Sequence, residues 1–461
     1  MQNVQTAYFI GIGGIGMSAL ARYFKRRGAI VSGYDRTPTP LTGELQREGI
    51  AIHYDENLLL IPRDVDLVVY TPAIPAHHAE LNFYRENAYR VLKRSEVLEQ
   101  LTHDAFTIAI AGSHGKTTVT SMIAHLLTHS GYGCTAFVGG IMTNYNSNYV
   151  SSGSNNVIVV EADEFDRSFL RLHPDIAVIT AVDTDHLDIY GTKAAIEEAF
   201  TQFAQQIKMP EGKLIAQADI DILNQLENIV PQTFTYNKQA QNQQNTDFVA
   251  QNIRITQNRH VFDIKTPTKT YYDISLCMSG LHNISNALAA AAVATQLGIT
   301  GEQIVAALNS FAGIKRRFEY IIQNDDFVMI DDYAHHPEEI RALLLSVRHL
   351  YPKQRIVAVF QPHLYSRTRD LATEFALALD LADEVCLLDI YPARELPISG
   401  VSSDLIFNQM KCKRKHRYQR ADVVQNIHLH RPEVLLTIGA GDIDALVEPL
   451  KNKYLSFFKK S

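Results

Sequence analysis

The chain has 461 residues, of which 46% are hydrophobic, 20% charged and 9% aromatic. A chain of this kind buries roughly three quarters of its extended surface, in about three domains, and is neither disordered, fibrous nor dependent on disulfides. Lys and Arg number 43 against 50 Asp and Glu, a net charge of −7, so a bulk basic footprint for nucleic acid or an anionic membrane is absent.

A strand is expected over Ala7–Gly11, then a turn over Ile12–Gly16 and a helix running to about Arg27, which stops before Gly28. Strands at Ile30–Asp35 and Asp66–Tyr70 follow, and the loop Thr71-Pro-Ala-Ile-Pro75 lies at a strand end, where α/β proteins place ligand contacts. A second unit opens near Thr107 with the strand Thr107–Ala111, a loop over Gly112–Gly115 and a helix over Lys116–Ser130. Its apolar residues Val119, Met122, Ile123, Leu126 and Leu127 keep helical spacing. Buried-type strands are expected at Val157–Glu161 and Ile176–Ala181, hairpins over 232–275 with a polar loop at Gln239–Asn245, and an Ala-rich helix over Asn283–Leu297. A third unit starts around Gly313, with strands at Phe327–Ile330, Ile356–Phe360, Val385–Ile390 and Val434–Ile438. Strands alternating with helices imply mostly parallel sheets.

Cys134, Cys277, Cys386 and Cys412 form no CxxC pair, which argues against a zinc ribbon and suits a reducing compartment. The N-terminus lacks a basic region followed by an apolar stretch, and no run approaches the ~20 apolar residues that span a bilayer. A cytoplasmic protein is expected, without membrane insertion and without a nucleic-acid partner.

Two strand-to-helix turns carry glycine motifs. Gly11-Ile-Gly-Gly-Ile-Gly16 satisfies G-x-G-x-x-G, with Asp35 at the end of the next strand. Glycines allow a tight turn and close backbone approach, and the helix N-terminus faces a diphosphate. The pattern leaves open NAD or another nucleotide diphosphate, and helix–strand packing alone. Ala111-Gly-Ser-His-Gly-Lys-Thr-Thr118 resembles a P-loop, with Ile110 in place of its first glycine. Backbone N–H groups from Gly112 to Lys116 can cradle phosphates, Lys116 can neutralise the β/γ oxygens and the Thr117 hydroxyl can bind Mg²⁺. Glu161, in Val160-Glu-Ala-Asp-Glu164, ends a neighbouring strand and suits a phosphate-bound metal, with Asp163 or Glu164 as the alternative cap of the next helix. His186 sits among acids in Asp183-Thr-Asp-His-Leu-Asp188, a metal ligand or a salt-bridged surface residue.

Taken together with His282-Asn-Ile-Ser-Asn286, Lys315-Arg-Arg-Phe-Glu319, Asp331-Asp-Tyr-Ala-His-His-Pro337, Gln361-Pro-His-Leu-Tyr-Ser-Arg-Thr368 and Gly439-Ala-Gly-Asp-Ile443, these motifs resemble the Mur ligases in order along nearly the whole chain. The resemblance implies three α/β domains. A Rossmann-like domain over 1–100 would bind the UDP-sugar, a P-loop-type ATPase domain with a mostly parallel sheet over 101–312 would bind ATP, and a Rossmann-like domain over 313–461 would bind the amino acid. It implies ATP-dependent joining of L-alanine to the carboxylate of UDP-N-acetylmuramate through an acyl phosphate, the first peptide addition to the peptidoglycan precursor, by a monomer or homodimer.

By the same resemblance, Lys116, Glu161, His186 and Arg317 are catalytic. Gly112, Ser113, His114, Gly115, Lys116, Thr117, Thr118, Asn283, Asn286, Arg317 and Asp332 bind ATP, while Thr117, Glu161 and His186 hold two Mg²⁺ ions, for which Mn²⁺ can substitute. Gly11, Gly13, Gly14, Ile15, Gly16, Asp35 and Thr71 bind the UDP-sugar instead of NAD, and Tyr333, His363 and Arg367 lie near the alanine. Leu364 stands where some relatives carry an arginine, and Glu198-Ala-Phe-Thr201 lacks the lysine that several later-acting members carry as a carbamate. A mobile third domain would complete the site on closure and exclude water from the acyl phosphate. The competing readings are a ligase that attaches a whole tripeptide to the same sugar nucleotide, a nicotinamide-dependent oxidoreductase, and a non-catalytic nucleotide switch.

Overall fold

The computed structural model describes residues 1, 3–164, 167–183, 187–238, 246–278, 280–393, 395–430 and 432–458. The first sheet joins β1 (Thr6–Ile10), β2 (Ile30–Tyr34), β3 (Ala51–His53), β4 (Leu67–Tyr70) and β5 (Val91–Lys93) in the order β3-β2-β1-β4-β5, all parallel. The central strands β1 and β4 are continuous apolar runs because helices cover both faces. The chain moves outward from β1 on one side through β2 and on the other through β4, which leaves a crevice at the carboxyl ends of these strands.

The second sheet comprises β6 (Phe106–Ala111), β7 (Cys134–Met142), β8 (Ser147–Ser152), β9 (Val157–Glu161), β10 (Ile176–Ile179), β11 (Lys213–Gln217), β12 (Thr233–Asn237), β13 (Phe248–Thr256), β14 (Arg259–Lys265) and β15 (Thr270–Leu276). Their order is β15-β14-β13-β12-β11-β10-β6-β9-β7-β8. The pairs from β7 through β12 are parallel, and β8 closes the edge as an antiparallel partner of β7. The expectation of hairpins over 232–275 is corrected at its start: β12 is parallel to both β11 and β13. The Gln239–Asn245 loop lies outside the described residues.

The third sheet contains β16 (Glu319–Gln323), β17 (Val328–Asp332), β18 (Ile356–Phe360), β19 (Glu384–Leu387), β20 (Lys415–Arg417) and β21 (Val434–Ile438), ordered β16-β17-β21-β18-β19-β20. Only β16 is antiparallel among its pairings.

Contacts divide the chain into two compact units. One holds Met1–Ile253, Phe262–Ile274 and Ile284–Phe311; the other holds Arg254–Val261, Ser275–Asn283 and Ala312–Ser461. Within the first unit the two leading sheets share one buried cluster that runs from Phe9, Leu20 and Phe24 to Phe137, Ile158 and Phe200. The helix Ile15–Arg26 makes the join. Its Tyr23 ring lies 5.6 Å from Phe137 and 6.4 Å from Tyr149, and Asn148 donates to Ser18 Oγ at 2.8 Å. No described helix is long and apolar enough to cross a membrane.

Candidate active site

The first glycine turn leaves β1 and enters the helix Ile15–Arg26. Gly11 has φ +86°, a left-handed conformation natural to glycine, and a Cβ there would come within 2.9 Å of Thr71 Cγ2. Its shape is fixed by the chain itself. The N–H groups of Gly11 and Ile12 donate to Tyr34 O at 2.8 and 3.0 Å, and Gly13 N–H donates to Asp35 Oδ2 at 2.8 Å. Asp35 Oδ1 accepts from Thr37 N–H at 3.3 Å. Gly14 is the extended residue that precedes the helix, and the Ile15 and Gly16 N–H groups open it as donors that helical geometry cannot satisfy. Arg94, which follows β5, lies against Gly16, with its Cδ 3.1 Å from where a Gly16 Cβ would be, and its Nη2 stands 3.8 Å from Asp163 Oδ2. It adds a cation to a helix N-terminus already suited to an anion. Sequence reasoning passed over Arg94, because the short strand Val91–Lys93 that places it carries no buried position to mark it.

The second turn leaves β6, where Ile110 is a fully buried strand residue. Gly112 and Gly115 both have positive φ, at +138° and +85°. A Cβ at Gly112 would collide with Thr180 Oγ1, and one at Gly115 would lie 2.7 Å from Asn286 Oδ1. Ser113 N–H donates to Ala181 O at 3.1 Å, Ser113 Oγ accepts from Asp183 N–H at 2.9 Å, and His114 Nε2 lies 3.7 Å from Asp183 Oδ2. The loop is thus laced to the segment that follows β10. Lys116, Thr117 and Thr118 open the helix Lys116–His129, Thr117 and Thr118 being buried.

Here the charged groups already meet. Lys116 Nζ donates to Gly112 O at 2.7 Å and to Glu164 Oε1 at 2.6 Å. Glu164 is nearly fully buried; burial pushes its pKa above the ordinary glutamate range, and Lys116 pulls it back. Thr117 Oγ1 donates to Glu161 Oε2 at 3.1 Å, and Gly139 N–H donates to Glu161 Oε1 at 2.6 Å. A hydroxyl and a carboxylate converging at the end of β9 form an oxygen donor set, which fits a hard divalent cation. Among the described residues, Asp163 faces Arg94 and Glu164 holds Lys116, and the N-cap of the turn Ser168–Arg171, Arg167, makes no side-chain cap bond. His186 lies outside the described residues.

In the second unit, Arg317 sits in a tight turn between Arg316 and Phe318, both at positive φ. Asp332 fastens that turn. Its Oδ2 accepts from Phe318 N–H at 2.7 Å and its Oδ1 from Ala334 N–H at 2.8 Å. Burial raises its pKa to about 6, against the lowering effect of those two bonds and Arg317. Asn283 is buried in the first turn of the helix Leu281–Gln296. Tyr333, His363 and Arg367 come together through a residue that the sequence reading did not single out, His335. The His335 ring lies 5.3 Å from Tyr333 and 6.0 Å from His363, whose Nδ1 is 3.5 Å from Arg367 Nη1. Burial first, then Arg367 and His335, depress the His363 pKa to about 4, so this imidazole is neutral near pH 7. Leu364 adopts φ +73° as it leads into the helix Tyr365–Asp370.

Two glycine turns at the carboxyl ends of parallel sheets, one of them carrying a lysine, a hydroxyl and a metal-suited carboxylate, define a nucleotide-dependent α/β protein. The family models described as Mur ligase family, catalytic domain, Mur ligase middle domain, and Mur ligase, glutamate ligase domain match residues 6–105, 110–294 and 316–441. The chain is 49% identical to the UDP-N-acetylmuramate–L-alanine ligase of Flavobacterium psychrophilum, over 98% of this chain and 99% of that protein. It is 48% identical to the ligase of the same name from Phocaeicola vulgatus, over 97% of each. The crystal structure of the UDP-N-acetylmuramate–alanine ligase of Thermotoga maritima superposes with a TM-score of 0.83 at 28% identity, covering 98% of this chain and 99% of that one. A murein peptide ligase from Psychrobacter arcticus shares the fold, with a TM-score of 0.70 at 24% identity over 97% and 98% of the two chains. The chain belongs to the Mur ligase family.

Proposed function

We propose that the chain joins L-alanine to the lactyl carboxylate of UDP-N-acetylmuramate, with ATP converted to ADP and phosphate, as the first peptide addition to the peptidoglycan precursor in the cytoplasm. The observation that carries this reading is the Lys116–Thr117–Glu161 cluster, in a chain that matches named L-alanine-adding ligases along almost its full length. Residues 1–100 are assigned to the UDP-sugar, 101–312 to ATP and 313–461 to the amino acid.

The Gly112–Thr118 turn cradles the ATP phosphates through its N–H groups, and Lys116 leaves Glu164 to neutralise the transferring phosphoryl group. Thr117 and Glu161 would hold one Mg²⁺, and Glu161 with His186 would hold a second, or Mn²⁺ in their place; a bound ion would supply neutralisation of charge on the phosphoryl group. Asn283 and Asn286 offer amide donors and acceptors to adenine, and Arg317 and Asp332 are assigned to ATP. The substrate carboxylate attacks the γ-phosphorus, ADP leaves, and the alanine amine then displaces phosphate from the acyl carbon. Arg367 pairs with the alanine carboxylate, while neutral His363 accepts a hydrogen bond from its amine, beside Tyr333. Gly11, Gly13, Gly14, Ile15, Gly16 and Thr71 shape the diphosphate site, and Asp35 braces it.

Phosphate release from Mg-ATP with UDP-N-acetylmuramate tests this, with L-alanine compared against a tripeptide and mass spectrometry identifying the product. The expected outcome is turnover with L-alanine. Turnover with the tripeptide alone would make the chain a recycling-type ligase, and silence with both, alongside tight NADH binding, would revive the oxidoreductase reading.

A further inference from the structure

A second constellation of metal-ligating side chains lies in the third sheet, at the end opposite to Asp332. Glu384 opens β19, whereas Asp332 closes β17. Side chains alternate along a strand, so Glu384 and Cys386 share a face, and the parallel register pairs Cys386 with His416 of β20. Onto this face folds the 3-10 turn Ile427–His430, with Ile427 buried in one cluster with Cys386. Three segments distant in sequence therefore deliver Glu384, His416 and His430 to one point. One ligand atom from each of the three lies within 4.8 Å of the other two. His416 Nε2 is 2.9 Å from Glu384 Oε1, and His430 Nδ1 contacts the same oxygen.

The outer atoms of two of the ligands, Glu384 and His430, are also held. Arg355 pairs with Glu384 Oε2, which leaves Oε1 for the imidazoles, and the Tyr418 hydroxyl lies 2.9 Å from His430 Nε2. That is the pattern in which outer partners fix the orientation and tautomer of metal ligands. Glu384 and His430 are buried, whereas the His416 side chain is 42% exposed and supplies an entry route.

We propose that Glu384, His416 and His430 form a binding site for a divalent cation of the Zn²⁺ class, separate from the catalytic Mg²⁺ chemistry, which clips β19, β20 and the 427–430 turn together. Two imidazoles and one carboxylate select Zn²⁺, Co²⁺ or Ni²⁺ over Mg²⁺. The imidazole nitrogen that faces the ion must carry no proton; on His430 the N–H then sits on Nε2 as a donor to Tyr418, whose hydroxyl serves in either direction. Water or solvent on the His416 side fills the fourth position.

The test is equilibrium dialysis of the EDTA-stripped, untagged full chain against Zn²⁺ with Mg²⁺ in excess, repeated with Co²⁺ for its visible absorption. The expected result is one tightly bound Zn²⁺, a tetrahedral Co²⁺ band and a rise in Tm. His416→Ala should weaken binding at least about tenfold and lose the band, while His416→Asp, which keeps a ligand atom, should retain both in part. Mg²⁺-dependent ligase turnover of His416→Ala, at the level of the parent chain, certifies its fold. Zn²⁺ binding equal in the parent and His416→Ala, or absent from the parent, would overturn the proposal and leave the cluster as an ion-pair network.

Discussion

The two glycine turns share a plan, a parallel strand into a tight turn into a helix N-terminus, yet they differ in which groups they present. The Gly11–Gly16 turn spends its first donors on its own chain: Gly11 and Ile12 on Tyr34 O, and Gly13 on Asp35. What faces outward is the start of the helix, with Arg94 beside it. The Gly112–Thr118 turn carries reactive side chains, and each is held by another side chain, Lys116 by Glu164 and Thr117 by Glu161. A turn that only grips a diphosphate gains from a fixed shape. A turn that handles a phosphoryl group in transfer needs groups that exchange one partner for another at the moment of binding.

The sharpest way to break that contrast is Lys116→Ala. Loss of the only cation that the second turn itself contributes should lower ligase turnover about a thousandfold or more, as removal of a charge-stabilising group from a phosphoryl-transfer site does. UDP-sugar affinity, measured by calorimetry, should stay within about twofold. A joint loss of both would mean that the turns are not separate sites.

Arg94→Ala should act in the reverse sense and more weakly. A hydrogen bond to a charged group contributes about 1.5–3 kcal/mol, so the UDP-sugar Kd should rise roughly tenfold to a hundredfold. The ATP KM should change little. An equal rise in the ATP KM would place Arg94, through its neighbour Asp163, on the second turn instead of the first.

The contrast also explains what could be read from the sequence. Buried parallel strands such as Val157–Glu161, Ile356–Phe360 and Val434–Ile438 are apolar runs bounded by turns and were legible to the residue. Half-exposed edge strands such as Ala51–His53, Val91–Lys93 and Lys415–Arg417 carry too few buried positions to show a pattern. The strands Cys134–Met142 and Ser147–Ser152 were missed because glycines, serines and an asparagine interrupt them. Of the proposed site, the residues that local spacing marks could be named from the sequence, including the glycines, Lys116, Thr117 and Glu161. Their partners were not. Arg94 and Glu164 act through contacts that only the packing of strand ends creates, and His335 joins Tyr333 to His363 across two different strand ends.

Asp35 gives the smallest effect and the finest test. Read from the motif alone, an acid at this distance from G-x-G-x-x-G binds a ribose hydroxyl. In the structure Oδ2 accepts from Gly13 N–H and Oδ1 from Thr37 N–H, so the expectation to test is that it acts on ligands through the shape of the turn. Asp35→Asn retains one acceptor oxygen for Gly13 and removes a negative charge from the neighbourhood of a bound diphosphate. The first change loosens the turn and the second relieves repulsion. With one charge-assisted bond weakened and partly offset, the UDP-sugar Kd should move by no more than about threefold, and L-alanine turnover at saturation should be unchanged. A loss of about a hundredfold, the scale of an unpaired polar contact to the ligand itself, would put Asp35 on the sugar nucleotide and make the first turn a site that, like the second, trades an internal partner for its ligand.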